Sequence, residues 1–373
     1  MLTSETIRPG DLTLRDRSAW LAIRAAHPPL QSPLLGPDFA IAVGRVRSDA
    51  AVAVFRRDGA AVGFLAHHRR PGGLARPIGA PFSDYHALVA GPDLSAEHAL
   101  RLAGIREYRF TGLVNEPAVS RDCAKADSYA VELGTEPDAG GAYLEALRAG
   151  SAKRFKNLRR LSHKLEREIG PPRLIAPDRA NDNFDLLFRW KHEQFARSGL
   201  TDVFAAPWAG ALMRTLFENG ERDLSGLMIT LMAGDRPAAI HFGIREGHRY
   251  HPWAAAHDEA LNVYSPGQLF LWSTIRAMPS LGLHWYDLAG GHDHYKLPFA
   301  NRTVQTLEGR IGNARDGWGL MERALGPRAA RLRRRVDQIA AVELTLPGRV
   351  GALAHAVAMS RRREATRAPD QEG

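Results

Sequence analysis

The stretch from about Leu227 to Phe299 constrains the fold of this chain most, because its apolar runs and turn clusters come in a definite order. Leu227 to Ala233 is an apolar run of strand length, Gly234-Asp235-Arg236-Pro237 is a turn cluster, and Ala238 to Arg245 reads as the returning strand of a hairpin. A second turn at Glu246-Gly247-His248 leads into a third strand, Arg249 to Ala254. At the next junction Ser265 stands where a helix takes its N-cap, Pro266 fits the first helical position, and Gln268 falls where a capping box places its return acceptor. A helix over Leu269 to Met278 follows, so Gly267 and Gln268 should present free N–H groups to an anion, most naturally a phosphate. Leu283 to Ala289 is a further strand, closed by Gly290-Gly291 and then by His292-Asp293-His294-Tyr295-Lys296.

In this order, the Ser265-Pro266-Gly267 turn, Asp287 with its following Gly-Gly, and Tyr295-Lys296 resemble the coenzyme-A-binding half of the GNAT acyltransferases. Within them the likeness is to the CelD/BcsL-like branch associated with exopolysaccharide and cellulose synthesis, a branch similar in layout to the Fem-type aminoacyl-tRNA-dependent transferases. Ser83-Asp84-Tyr85 and the basic helix around Arg154 to Arg160 echo the same family, and the likeness covers most of residues 10–310. It implies an α/β (α+β) protein of two tandem GNAT-like domains, each a mixed, mostly antiparallel sheet flanked by helices. It also implies acetyl-CoA or another acyl-CoA as co-substrate, its pyrophosphate held at Ser265, Pro266, Gly267 and Gln268. In that layout the strand before the turn splays from the strand after the helix. The pantetheine arm enters the gap, past Tyr250 and Trp253.

The rest of the chain fits around this half. With 373 residues there is room for two domains. Ala50 to Phe55 and Ala60 to Ala66, joined through Asp58-Gly59, make a strong hairpin pattern, Trp20 marks a first helix, and Ser95 to Gly104 a later one. This N-terminal unit shows the order of a GNAT-like half without a capped, phosphate-ready turn, so it reads as a degenerate copy that shapes the substrate side. Tyr143 to Ile169 is the best helical pattern, with a break at Gly150-Ser151 and an apolar stripe of Phe155, Leu158, Leu161, Leu165 and Ile169. The expected divisions are 1–135 (degenerate GNAT-like domain), 141–315 (acyltransferase domain) and 316–373 (basic helical extension).

Charge is concentrated in two places. The chain carries +9, and segments 141–170 and 320–373 hold +5 each, which leaves the remainder near neutral. The first patch reads either as a solvated helix face or, through Arg154 and Arg160, as a contact to phosphates of a cofactor or substrate. The Arg-rich end, with helices over Arg328 to Val336 and Val350 to Met359, could touch an anionic membrane surface or envelope-synthesis machinery. Nucleic acid is not expected as a partner. No run approaches the ~18 apolar residues of a membrane span, and the single cysteine, Cys123, fits a reducing compartment, so the expected location is cytoplasmic.

Acyl transfer needs a base, oxyanion donors and a held thioester. His241, on the strand face opposite Ile240 and Phe242, is a candidate base or a structural histidine. Asp287 is a carboxylate in an otherwise apolar strand, which requires a partner. By resemblance Lys296 points into the acyl-transfer site and Tyr295 could protonate the leaving thiolate. Asp84 and Tyr85 are the substrate-side candidates, although a turn aspartate is also an ordinary surface feature. His292 and His294 lack a usual zinc spacing, and no metal is expected. The resulting expectation is an N- or O-acyltransferase acting on an amine or hydroxyl of a small-molecule or saccharide acceptor, such as a cell-envelope or exopolysaccharide precursor. The alternatives are an aminoacyl-tRNA-dependent Fem-like transferase and a non-catalytic basic RNA- or membrane-binding protein that retains the fold.

Overall fold

In a computed structural model of the chain, the described residues are 1–114, 123–219, 223–290, 296–312, 336, 339–343 and 348–351. The first half holds β1 (Leu2–Ile7), α1 (Leu14–Ala26), α2 (Pro37–Val46), β2 (Ala50–Arg57), β3 (Ala60–Arg70), β4 (Leu74–Pro77), β5 (Val89–Ala90), α3 (Ala96–Leu102), β6 (Glu107–Leu113) and β7 (Ala124–Glu132). The second half holds α4 (Ala139–Gly150), α5 (Ala152–Glu168), β8 (Pro172–Ile175), α6 (Asn181–Ser198), α7 (Pro207–Glu218), β9 (Leu224–Ala233), β10 (Arg236–Glu246), β11 (Arg249–His257), α8 (Pro266–Ala277), β12 (Trp285–Gly290) and β13 (Arg302–Gly312).

One mixed sheet runs through both halves in the order β1-β2-β3-β4-β6-β13-β7-β12-β11-β10-β9-β8, with β5 set against β3. The order reads the same from either end once the halves are matched, so the fold is two tandem GNAT-like halves related by an approximate two-fold. Each half donates its last strand to the other. β7 pairs with β12, and β13 lies between β6 and β7. Ladders are antiparallel except at two equivalent places, β4–β6 and β11–β12, where the strands flanking α3 and α8 run parallel for two residue pairs each.

The β2–β3 hairpin turns through Asp58 and Gly59, both at positive φ (51° and 84°), as its Asp-Gly sequence requires. Alternation along the strands separates two apolar layers. Val52, Val54, Phe64, Met228, Ile240 and Phe242 face α1, α2, α6 and α7 in one continuous core that spans both halves. Leu227, Ile229, Leu231, Tyr250 and Tyr286 face α4, α5 and α8 on the other side. α5 buries Phe155, Leu158, Leu161 and Leu165, as the stripe requires, and Ser151 breaks it from α4. Ile169, expected in that stripe, is instead 37% exposed, because the helix ends one residue before it.

The halves are also joined by charge. The guanidinium of Arg24 on α1 donates to both carboxylate oxygens of Glu246 at the end of β10, at 3.0 and 2.5 Å. Its Nε and Nη2 donate further to the carbonyls of Leu30 and Ser32. Residues 340–342 lie across both halves. Arg47 and Arg70 donate to the carbonyls of Ala341 and Ala340, and Trp208 on α7 donates to that of Val342. Most of the basic extension expected after residue 316, including 328–335 and 352–373, lies outside the described residues.

Candidate active site

Strands β11 and β12 meet only at Arg249–Trp285 and Tyr250–Tyr286 and then part. The sequence supplies the reason. Pro252 has no amide hydrogen for a ladder, and Trp253 is the extra residue of a β-bulge opposite Phe242 and Gly243. The bulge brings the backbones together so closely that a Cβ on Gly243 would stand 2.1 Å from the His251 carbonyl oxygen. The first residues past the fork are His251 and Asp287, both almost fully buried.

These two side chains sit in a compact polar cluster. His251 Nε2 is 2.9 Å from Asp84 Oδ2, and its Nδ1 is 3.5 Å from Asp287 Oδ2. Tyr85 donates its O–H to Asp287 Oδ2 at 2.7 Å, and its oxygen lies 2.7 Å from the Ser128 hydroxyl, which is placed to donate to it. The other oxygen of Asp287 accepts from the Ala289 N–H at 2.7 Å. Burial alone would push the His251 imidazole down, but the carboxylates of Asp287 and Asp84 outweigh it and hold it up at about 10. His251 is therefore an imidazolium at neutral pH. Burial, reinforced by the charge of Asp287, raises the Tyr85 phenol well above its ordinary range.

The raised histidine has a consequence for stability. Its contribution is complete below about pH 6.5, where the unfolded chain also carries the proton. It is lost as pH rises through the folded value of about 10. Between those limits the melting temperature of the wild type should fall more steeply with pH than that of His251→Asn. Equal slopes in a pH series of melting curves would remove the charge assignment.

A cavity of about 430 Å³ opens beside the cluster, between the loop after α1 (Pro28, Pro29, Pro33) and the residues Tyr85, Arg249, Tyr250, His251, Trp285 and Asp287, with Glu132 and Gln305 at its wall. On the α5/α8 side of the sheet a second, shallower cavity of about 720 Å³ is lined by Ser151, Lys153, Arg154, Asn157 and Gln268. Here the local structure differs from the expected capping box. Ser265 ends a 3-10 turn in the left-handed conformation (φ 55°, ψ 55°), which turns its hydroxyl away, so no side chain caps α8. The Gln268 N–H is not free but donates to the Ser265 carbonyl at 3.0 Å. Gly267 faces open space, and a Cβ placed there would meet no atom within 4 Å. The first half is the reverse case, since Ser95 does cap α3, accepting from the His98 N–H.

The remaining candidates fall in several places. His241 is neither solvent-facing nor in the cavity. Its ring stacks on Phe270 at 3.8 Å and its Nδ1 is 3.2 Å from the Tyr286 hydroxyl. Burial, with the nearby charge of Lys296 next in weight, pushes it down to about 3, so it is a neutral core histidine at physiological pH. Lys296 is half-buried at the head of a 3-10 turn, on that same side. Tyr295, His292 and His294 lie outside the described residues. Trp253 packs toward Phe39 and Phe82 in the shared core, and Tyr250 lies against Tyr286. Arg160 is exposed and donates to Asn157. Cys123 packs beside Gly309 of β13.

The sequence reading missed His251, Ser128 and Arg249 as site residues. Their signal was positional, because His251 and Asp287 each stand one residue past the strand pair that forks. Among the described residues no helix is long and apolar enough to cross a membrane, and no group of three or more His, Cys, Asp or Glu is placed to hold a metal ion.

No curated protein matches the chain in sequence. Among solved structures it is similar to FemX, at 11% identity and a TM-score of 0.51, over 82% of this chain and 96% of that one. It is also similar to a conserved protein of unknown function from Bacteroides thetaiotaomicron VPI-5482, at 13% identity and a TM-score of 0.50, over 83% and 100%. A tandem GNAT protein from the clavulanic acid biosynthesis pathway, at 11% identity over 83% and 98%, gives a TM-score of 0.46. At these identities the likeness is one of fold. In sequence, residues 152–297, from α5 through β12, match the family described as an acetyltransferase (GNAT) domain. The chain thus carries an acetyltransferase domain of the GNAT superfamily and is an acyltransferase by class.

Proposed function

We propose that the protein moves an acyl group from an acyl-CoA, acetyl-CoA being the simplest, to an amine or hydroxyl of a small acceptor seated in the 430 Å³ cavity. The observation that carries this reading is the fork, where a buried acid–base cluster stands at the parting strands with one cavity on the α5/α8 side and another on the Pro28–Pro33 side. Coenzyme A would lie along the first, its pyrophosphate at the uncapped start of α8 near Gly267 and Arg154, and its pantetheine arm between β11 and β12. A saccharide or cell-envelope precursor remains the acceptor type to which the resemblance around Asp84 and Asp287 points.

In this arrangement the acceptor's N–H or O–H loses its proton to the Asp287 carboxylate as the new N–C or O–C bond forms. The C–S bond breaks, and the thiolate takes a proton from the His251 imidazolium. Once Asp287 is neutral, His251 loses one of the two charges that hold its proton, so donation becomes easier at that moment. The proton on Asp287 then returns across the 3.5 Å gap to His251, and the cluster is restored. No covalent enzyme intermediate is involved, and Lys296, on the His241 side, serves the bound cofactor rather than the acceptor.

A thermal-shift series with acetyl-CoA, longer acyl-CoAs, free coenzyme A and tRNA tests the donor. Acyl-CoAs should raise the melting temperature, and Gly267→Asp, which adds bulk and a like charge at an open position, should abolish the shift. A shift with tRNA and none with coenzyme A would replace this reading by an aminoacyl-tRNA-dependent one.

A further inference from the structure

On the wall of the cavity beside the fork, one guanidinium has no ion-pair partner among the described residues. Arg24, Arg47 and Arg70, whose side chains are largely buried, each meet a carboxylate within 2.5–2.8 Å. Arg249 meets none within ion-pair distance among the described residues. Its Nη2 donates to the Gln31 side chain at 2.9 Å, its guanidinium lies 4.5 Å over the Trp285 ring, and its Nε is buried without an acceptor. Burial, ahead of any neighbouring charge, pushes its pKa below the ordinary arginine value. Glu132, the acid on the same wall, is already engaged by Arg302.

A guanidinium held flat against an indole on the wall of a cavity, with donors that no described carboxylate meets, matches the planar acceptor geometry of a carboxylate or phosphate. Tyr250, fully buried on the same wall, also has a hydroxyl without a partner among the described residues. The cavity volume of about 430 Å³ lies in the range that small molecules fill, roughly 300–1,000 Å³. Its other walls, Pro28, Pro29, Pro33 and Trp285, are flat and apolar.

We infer that the acceptor is a small molecule that carries an anionic group, carboxylate or phosphate, which pairs with Arg249 while its nucleophilic amine or hydroxyl reaches Asp287. This inference rests on the reading of the cavity as the acceptor site. The anion would fix the acceptor's orientation at one end and leave the reacting group at the fork, and an uncharged analogue would leave the Arg249 donors unpaired in a buried place.

The test uses the full chain with acetyl-CoA bound and three amines as probes: glucosamine, glucosamine 6-phosphate and muramic acid. They share an amino sugar and differ in bearing no anion, a phosphate or a carboxylate. Calorimetric titration should show at least one anionic probe binding about tenfold or more tightly than glucosamine, and which one names the anion. Arg249→Gln should erase that preference and Arg249→Lys should restore part of it, both with the dissociation constant for acetyl-CoA unchanged. Equal binding of all three probes, a preference that survives Arg249→Gln, or no binding of any probe overturns the inference. Because acetyl-CoA binding is read in the same samples, its presence or loss reports separately on the acyltransferase reading.

Discussion

Replacing Asp287 with asparagine should lower the acyl-transfer turnover number by about 10²–10⁴, the range associated with losing a positioned general base. The amide keeps the volume of the side chain: its oxygen can still accept from the Ala289 N–H, and its NH2 can donate to the Tyr85 oxygen while the Tyr85 O–H turns to Ser128, so the fork should remain folded. What it cannot do is take the acceptor's proton, or supply the charge that helps hold the His251 imidazole up at about 10. Two readouts should therefore move together. Turnover falls while acyl-CoA still binds, and the His251 imidazole, followed by NMR, titrates at lower pH than in the wild type. An Asp287→Asn protein with unchanged turnover would end the proposed mechanism. Unchanged titration of His251 would mean that the two side chains are not coupled.

The second large effect concerns stability. Glu246→Ala should cost about 3–5 kcal/mol, the usual result of removing one partner from a buried ion pair. The Arg24 side chain is only 6% exposed and would keep its charge with no counterion. Arg24 also holds the carbonyls of Leu30 and Ser32, so the loop that walls the cavity should loosen at the same time. Urea unfolding would measure the loss, and the Michaelis constant for the acceptor should rise. Replacing both partners with methionine should recover much of the stability, because no unpaired charge is then left behind. A single variant as stable as the wild type would show that the pair does not join the halves.

How much of this was legible follows from what each residue faces. The β9–β10 hairpin and α5 announce themselves because their apolar residues recur at the periods of a strand and a helix. β1, β7 and β13 do not. In β13, Arg302, Thr303 and Gln305 carry polar side chains on both faces of the strand, and in β7 residues 124–127 are all exposed. These strands are held by backbone ladders between neighbours distant in sequence, a constraint that leaves no local pattern. α2 was obscured by the prolines before it, one of which starts the helix at its first position.

Within the site, Asp287 stood out as a carboxylate in an apolar strand, and Asp84-Tyr85 stood out by resemblance. His251 was hidden because its importance comes from a bulge and a neighbour 36 positions later in the chain. The error at Ser265 was one of conformation. Residue type suggested a side-chain cap, but the preceding 3-10 turn ends there in the left-handed region, which redirects the hydroxyl.

The exchange of terminal strands between the halves also bears on how the protein is made. On the ribosome, β6 and β7 emerge early, but the strand that fills the gap between them is β13, nearly two hundred residues later. The first half therefore cannot close its sheet during synthesis, and one edge of β6 and both edges of β7 must wait until most of the chain has been translated. A fragment ended after β7 would expose those edges permanently and should aggregate. Adding the second half as a separate polypeptide during refolding should rescue it, since that piece carries the missing strand.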